Sequence, residues 1–231
     1  MTTLIREQVL RIIKSACAKG ETPKLFGADQ AKTELRRAQL GRPALSEVEL
    51  HRARLSGAEL MRVDLSGVNF QGASLIGADF SQADLSQADL SKTDLFMANL
   101  SEVNLSGANL REAKLFKATL TQANLFRTDL SQANLSLANL SLANLSQANL
   151  GRANLKGTNF NQADLKGADL READLSNANL SGVDLGQANL KQTNFSQVDL
   201  TGANLREARY NQATVWPATF NPNSTEAICE D

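Results

Sequence analysis

A large apolar residue at every fifth position constrains this chain more than any other feature of its sequence. Between Leu120 and Leu150 the chain reads L-TQANL-FRTDL-SQANL-SLANL-SLANL-SQANL. From Leu35 to Tyr210 every fifth residue is Leu, Phe or Tyr, which makes (210 − 35)/5 + 1 = 36 consecutive central residues. The residue two positions before each centre is Ala, Val or Thr, except at Pro43. One short repeat therefore makes up most of the chain.

A period of five residues fits neither a straight helix nor a flat strand. In an α-helix each step of five residues adds a net rotation of about 140°, so the leucines would spiral around the helix. In a strand, successive centres would point to opposite faces because five is odd. Both problems disappear if the chain turns a corner every five residues and each centre points to a common axis. The Asp or Asn before most centres is then explained by hydrogen bonds that stabilise the turns.

The A-(D/N)-L-x-x pattern resembles the pentapeptide-repeat family over residues 24–220, about 85% of the chain. The resemblance implies an all-β solenoid, a right-handed quadrilateral β-helix in which four repeats close one coil. The 36 centres then give 36/4 = 9, or about nine coils. At the spacing of neighbouring strands, about 4.8 Å, the solenoid would be about 43 Å long.

The sequence divides into three segments. Residues 1–23 carry apolar residues at helical spacing and predict an amphipathic α-helix, which either caps the open coil or lies on a membrane surface. Residues 24–222 form the predicted β-helix, whose register continues through Val215 and Phe220 into an aromatic and proline cap. This closing segment also resembles that of many cyanobacterial members of the family. Residues 223–231 are polar and are predicted to be a loose tail.

Composition argues against several functions. The 24 Lys and Arg balance 25 Asp and Glu, without the basic excess of a nucleic-acid binder or the acidic excess of a DNA mimic. The single histidine, His51, is predicted to lie on the surface, and there is no phosphate-binding or metal-binding motif. We therefore predict a protein that is not an enzyme and uses no cofactor or metal. Cys17 and Cys229 are predicted to be free thiols, and the absence of a long apolar run predicts a soluble cytoplasmic protein.

Two surface features emerge when residues 20 positions apart are stacked. The residues that follow Leu75, Leu95, Leu115 and Leu135 predict an outward apolar patch, formed by Ile76, Phe96, Met97, Phe116 and Leu137. Such a patch is either a contact with a partner or second copy, or local packing of large turn residues. On another side Arg111, Arg152, Arg171 and Lys191 alternate with Glu112 and Glu172, which predicts a solvated ladder of ion pairs.

The main hypothesis for function is a non-enzymatic scaffold that presents a rigid surface to a protein partner or to itself. A first alternative is a DNA mimic that modulates a topoisomerase such as gyrase, as in some members of the family. A second alternative is a structural protein associated with a membrane surface through its N-terminal helix. The balanced charge disfavours nucleic acid as a binding partner. We predict that the chain binds a protein partner or a second copy of itself, and we do not expect it to bind a membrane.

Overall fold

The computed structural model describes Leu50, Arg52 and residues 55–230. The predicted N-terminal helix, the repeats before Leu50, and both His51 and Cys17 lie outside the described residues. The α-helical cap therefore stays a prediction.

The backbone winds in coils of 20 residues. Parallel bridges pair every fifth residue with the residue 20 positions later, from Glu59 with Asp79 to Asn189 with Arg209. A typical bridge has Leu100 N donating to Thr119 O at 2.7 Å and Thr119 N donating to Ala98 O at 3.0 Å. Since each repeat has five residues, a coil has four sides, as predicted. The 32 centres from Leu55 to Tyr210, (210 − 55)/5 + 1, form eight such coils.

The core is a column of leucines along the solenoid axis. Every central residue from Leu55 to Phe195 is buried, and Phe70, Phe80, Phe160 and Phe195 fill central positions without any exposed surface. Each buried centre stabilises the fold by roughly 2 kcal/mol through apolar burial. The small residues two positions earlier are buried beside them. Where Thr occupies this place its hydroxyl is satisfied, as when Thr128 Oγ1 donates to Leu105 O at 2.8 Å.

The corners are tight turns with one left-handed residue. From Gly57 to Glu207 the second residue after every centre has a φ between +55° and +71°. A hydrogen bond across the corner accompanies this geometry, for example from Ala98 N to Leu95 O at 3.0 Å. A side chain disfavours this backbone conformation, and Gly adopts it without that cost. Nine of these 31 positions are Gly.

The Asp and Asn residues stabilise the turns, as predicted, and they also link neighbouring coils. Asp129 Oδ1 accepts a hydrogen bond from Ser131 N at 2.9 Å, two residues later in the chain. Asn149 Nδ2 in the next coil donates to the same Asp129 Oδ1 at 3.0 Å. Each such side chain therefore holds its own corner and joins a ladder parallel to the solenoid axis.

The predicted register fails at the C-terminal cap. Val215 pairs with Asn194, which is 21 residues earlier instead of 20, and half of its side-chain surface is exposed. Trp216 takes the central place instead, and its ring stacks on Phe195 with centroids 5.0 Å apart. Trp216 also contacts Tyr210 and Phe220, at 5.5 and 5.2 Å between centroids. The expected aromatic cap is present, but one extra residue after Tyr210 shifts it.

The structure also differs from the predicted loose tail. Pro222–Ser224 form a 3-10 helix, and Arg209–Tyr210 (β1) pair in parallel with Ile228–Cys229 (β2). Ile228 N donates to Ala208 O at 2.7 Å. Backbone hydrogen bonding thus extends the last coil through the polar tail, since such pairing needs no particular side chains.

Candidate interaction surface

The predicted patch lies along one corner of the solenoid. We call Ile76, Phe96, Met97, Phe116 and Leu137 the apolar column. Ile76, Phe96 and Phe116 directly follow the stacked centres Leu75, Leu95 and Leu115. Leu137 lies two residues after Leu135 in the next coil, so the column covers four successive coils. The exposed fractions are 39% for Ile76, 36% for Phe96, 57% for Met97 and 52% for Leu137, and Phe116 is half-buried. The structure therefore brings all five predicted residues together.

The two phenylalanines of the column also pack on each other. Their ring centroids are 5.9 Å apart and their planes differ by 11°. Stacked pairs of this kind contribute about 0.5–1.5 kcal/mol beyond their burial. Because about a third of Phe96 remains exposed, the stack leaves apolar ring surface facing solvent. The column is thus both a packed element of the wall and an apolar surface.

Met97 and Leu137 stand at backbone positions that favour glycine. Their φ angles are +55° and +57°. Leu137 leans along the axis over Gly157, where an added Cβ would lie 2.7 Å from Leu137 Cδ2. Leu142, with a φ of +60°, is also exposed on the next corner of the coil. The fold does not require apolar residues at these positions, because Gln, Glu or Gly fills most equivalent ones.

Lysines border the apolar column. Lys117 Nζ lies 5.4 Å from the centroid of the Phe116 ring, and its side chain is exposed. Lys114 directly precedes the centre Leu115, and its backbone is bridged to Asp94 and Asn134 in the neighbouring coils. Most repeats carry Asp or Asn at this position. Its side chain is exposed as well. The surface beside the phenylalanines is therefore positively charged.

Two coils beyond Phe116, Lys156 is paired. Its Nζ lies 3.2 Å from Asp174 Oδ2. Partial burial would raise the pKa of Asp174, but hydrogen bonds from Ser176 and the nearby Lys156 outweigh it and hold that pKa below its usual value. At this corner, Lys156 is therefore neutralised by Asp174, whereas Lys114 and Lys117 beside Phe116 form no ion pair with another described residue.

Comparison with known proteins agrees with this architecture. The family of pentapeptide repeats matches in eight copies, over residues 33–72, 64–101, 95–132, 138–177 and 178–209. The chain belongs to the pentapeptide-repeat family. No curated protein sequence matches the chain.

Two solved structures resemble this pentapeptide-repeat protein over most of its length. HetL from the cyanobacterium Nostoc sp. strain PCC 7120, a pentapeptide-repeat protein involved in heterocyst differentiation regulation, is 33% identical. The match has a TM-score of 0.74 and covers 90% of this chain and 97% of HetL. QnrB1, a plasmid-mediated fluoroquinolone resistance protein, has a TM-score of 0.62 at 17% identity, over 86% and 87% of the two chains. The similarity to HetL implies the right-handed quadrilateral β-helix.

All four predicted cations form ion pairs on another side of this pentapeptide-repeat protein, but Arg171 pairs with Asp169 at 2.6 Å instead of with a predicted glutamate. Arg152 Nε and Nη2 donate to the two carboxylate oxygens of Glu172 at 2.9 and 3.0 Å. The hydrogen bond to Glu172 raises the pKa of Arg152. Arg111 pairs with Glu112 at 3.3 Å, and Lys191 with Glu230 at 3.0 Å. Exposed pairs contribute about 0–1 kcal/mol each, so the ladder mainly neutralises charge along this side.

The described residues offer little for catalysis. No group of three His, Cys, Asp or Glu residues among them is placed to hold a metal ion. A shallow polar depression of about 420 Å³ lies near the C-terminal end, beside Arg206, Asn223 and Glu226. Cys229 is a free, exposed thiol. No helix in the described part of the chain is long and apolar enough to cross a membrane.

Proposed function

We propose that this pentapeptide-repeat protein is a non-enzymatic scaffold that binds a partner protein through the apolar column. The observation that carries the proposal is the concentration of exposed apolar side chains on two neighbouring corners. Six of the eight large apolar residues that are most exposed in the described chain lie on these corners: Met61, Ile76, Phe96, Met97, Leu137 and Leu142. Contiguous exposed apolar surface is typical of an interaction site.

The wall beneath the column supports binding without rearrangement. Hydrogen bonds link each coil to the next on all four sides, and the central residues below the column are fully buried. A surface fixed in this way loses little conformational freedom when a partner binds, which favours affinity. The column therefore acts as a preformed ridge of apolar side chains.

Local packing alone accounts for only part of the column. The stack of Phe96 on Phe116 explains why these rings lie side by side. It does not explain Met97 and Leu137, which expose more than half of their surface at a backbone position that favours Gly. We infer that these residues contact another molecule.

DNA mimicry is the weaker proposal for this chain. The likeness to QnrB1, at 17% identity, concerns the fold alone. A DNA mimic needs a continuous negative surface, whereas Arg152 and Glu172 neutralise each other on the ladder side and Lys114 and Lys117 face outward on the column side. We expect a gyrase supercoiling assay to show no effect of the purified protein.

Loss of partner binding on substitution of the two phenylalanines tests the scaffold proposal. A tagged protein is expressed in its native host, and co-purified proteins are compared between wild type and the Phe96→Ser/Phe116→Ser variant. Phe126→Ser serves as the matched control, because Phe126 is an outward phenylalanine on a different corner, covered by the Arg127 guanidinium at 4.9 Å. We expect a partner that the double variant loses and the control retains. Once that partner is purified, its Kd should rise more than about tenfold for the double variant.

Unchanged binding by a folded double variant contradicts the proposal. Circular dichroism and the unfolding midpoint establish that the variant is folded. The cytoplasmic location expected from the sequence is part of the same proposal, and fractionation of the native host checks it.

A further inference from the structure

We infer that the partner presents an amphipathic α-helix with acidic residues beside its apolar stripe, and that this helix lies along the apolar column parallel to the solenoid axis. This inference rests on the proposed function. It adds the shape and the charge of the partner segment, each argued from a different property of the column.

The spacing of the column fits a helix. Successive coils are about 4.8 Å apart, so Ile76, Phe96 and Phe116 follow one another at about that interval, with Leu137 about 14 Å from the first. Along an α-helix, residues i, i+3, i+7 and i+10 lie at about 0, 4.5, 10.5 and 15 Å on one face. A helix with this spacing can place one apolar side chain against each coil. An extended strand presents same-face side chains about 6.7 Å apart and falls out of step by the third coil.

The charge beside the column selects an acidic helix. Lys114 and Lys117 are exposed, and neither forms an ion pair with another described residue. Asp94, the bridge partner of Lys114 in the neighbouring coil, accepts a hydrogen bond from Phe96 N at 3.2 Å. Glu or Asp residues next to the apolar stripe of a docked helix would therefore meet two available ammonium groups. Complementary charge of this kind fixes register and raises the association rate.

The same features disfavour another copy of this chain as the occupant. The described residues contain a 3-10 helix and two short strands but no α-helix. The helix predicted from the sequence of residues 1–23 has a net positive charge that Lys114 and Lys117 would repel, with Arg6, Arg11, Lys14 and Lys19 against Glu7 and Glu21. The occupant is thus a helix from a different protein.

Synthetic peptides with fixed apolar stripes test the inference directly. Two fluorescent helical probes of about 21 residues, or three heptads, share Leu at a and d and carry either Glu or Lys at the flanking e and g positions. Binding to the full chain is measured by anisotropy. We expect the Glu probe to bind the wild type, the Lys probe to bind at least about tenfold more weakly, and Phe96→Ser/Phe116→Ser to lose the Glu probe.

A charge exchange provides the decisive arm. The Lys114→Glu/Lys117→Glu variant should reject the Glu probe and accept the Lys probe. Its matched control is Arg127→Glu/Lys166→Glu, which reverses two exposed charges on another corner and should bind like the wild type. The unfolding midpoint of every variant is measured alongside, so that a misfolded variant is recognised.

Several results overturn the inference. Equal binding of both probes to the wild type, or no exchange of preference after charge reversal, removes the acidic helix as the partner. If neither probe binds while the native partner is still lost on Phe96→Ser/Phe116→Ser substitution, the scaffold function stands and the helix inference is wrong. A dimer in sedimentation analysis that disappears in the double-phenylalanine variant identifies a second copy as the occupant instead.

Discussion

Gly77 and Gly157 occupy the same corner on different coils, and alanine at each separates backbone strain from side-chain packing. Both glycines have a φ of +63°. A Cβ at Gly77 would meet nothing within 4 Å, whereas a Cβ at Gly157 would lie 2.7 Å from Leu137 Cδ2. The two substitutions therefore share the cost of the left-handed backbone, and only Gly157→Ala must also displace the Leu137 side chain.

The expected magnitudes follow from these contacts. A left-handed conformation costs a residue with a Cβ about 1–2 kcal/mol, and the reduced freedom of the unfolded chain returns about 0.4–1 kcal/mol. Gly77→Ala should thus lower the free energy of unfolding by about 1 kcal/mol. Gly157→Ala should cost a further ~0.5–1.5 kcal/mol, because Leu137 must leave its rotamer.

Urea unfolding, followed by circular dichroism, measures both losses. Because the two variants differ only in which coil is changed, their difference in free energy cancels the shared backbone term. In a Leu137→Ala background, Gly157→Ala should cost no more than Gly77→Ala. Equal losses in the wild-type background would refute the placement of Leu137 over Gly157, and with it the geometry of the upper end of the apolar column.

Two further predictions concern the core and the charges. Leu125→Ala opens a cavity at a fully buried central position and should lower the free energy of unfolding by about 3–5 kcal/mol, measured by urea unfolding. A loss of stability smaller than that of Gly77→Ala would contradict the inward position of the Leu125 side chain. Asp174 has a folded pKa below its unfolded value of about 3.9, so its stabilisation is present above that pH and lost as the pH falls through the folded pKa. Asp174→Asn, which keeps the turn acceptor, should therefore reduce the decline of the unfolding midpoint below about pH 4, and an unchanged acid profile would show that the carboxylate contributes nothing.

The stacked coils are predictable from the sequence because every repeat must turn a corner and bury its central residue on the axis. A central residue such as Leu100 has no alternative to the axis once the chain turns every five residues, and it is fully buried. The Asp and Asn positions follow from the need to hold each corner. The remaining positions must face outward, because the central and small residues occupy the interior. Phe96 and Phe116 are one 20-residue coil apart, so they can be assigned to one corner from the sequence.

The C-terminal end of the β-helix and the side-chain rotamers cannot be predicted from the repeat pattern. A single extra residue after Tyr210 moves Trp216 into the place that the spacing gives to Val215, because a turn can absorb one residue with little change in composition. Strand β2 depends on backbone hydrogen bonds that a polar sequence does not reveal. The near-parallel stack of Phe96 on Phe116 and the Arg127 guanidinium over Phe126 depend on rotamers.

Site-specific photocrosslinking in the native host tests most directly that the apolar column is the binding surface. Benzoylphenylalanine replaces Phe96, Phe116 or, as control, Phe126, one position at a time, and crosslinked products are separated after irradiation. We expect the same partner adduct from positions 96 and 116 and none from position 126. Adducts from position 126 alone, or none from any position while the partner still co-purifies, would contradict the apolar column as the binding surface.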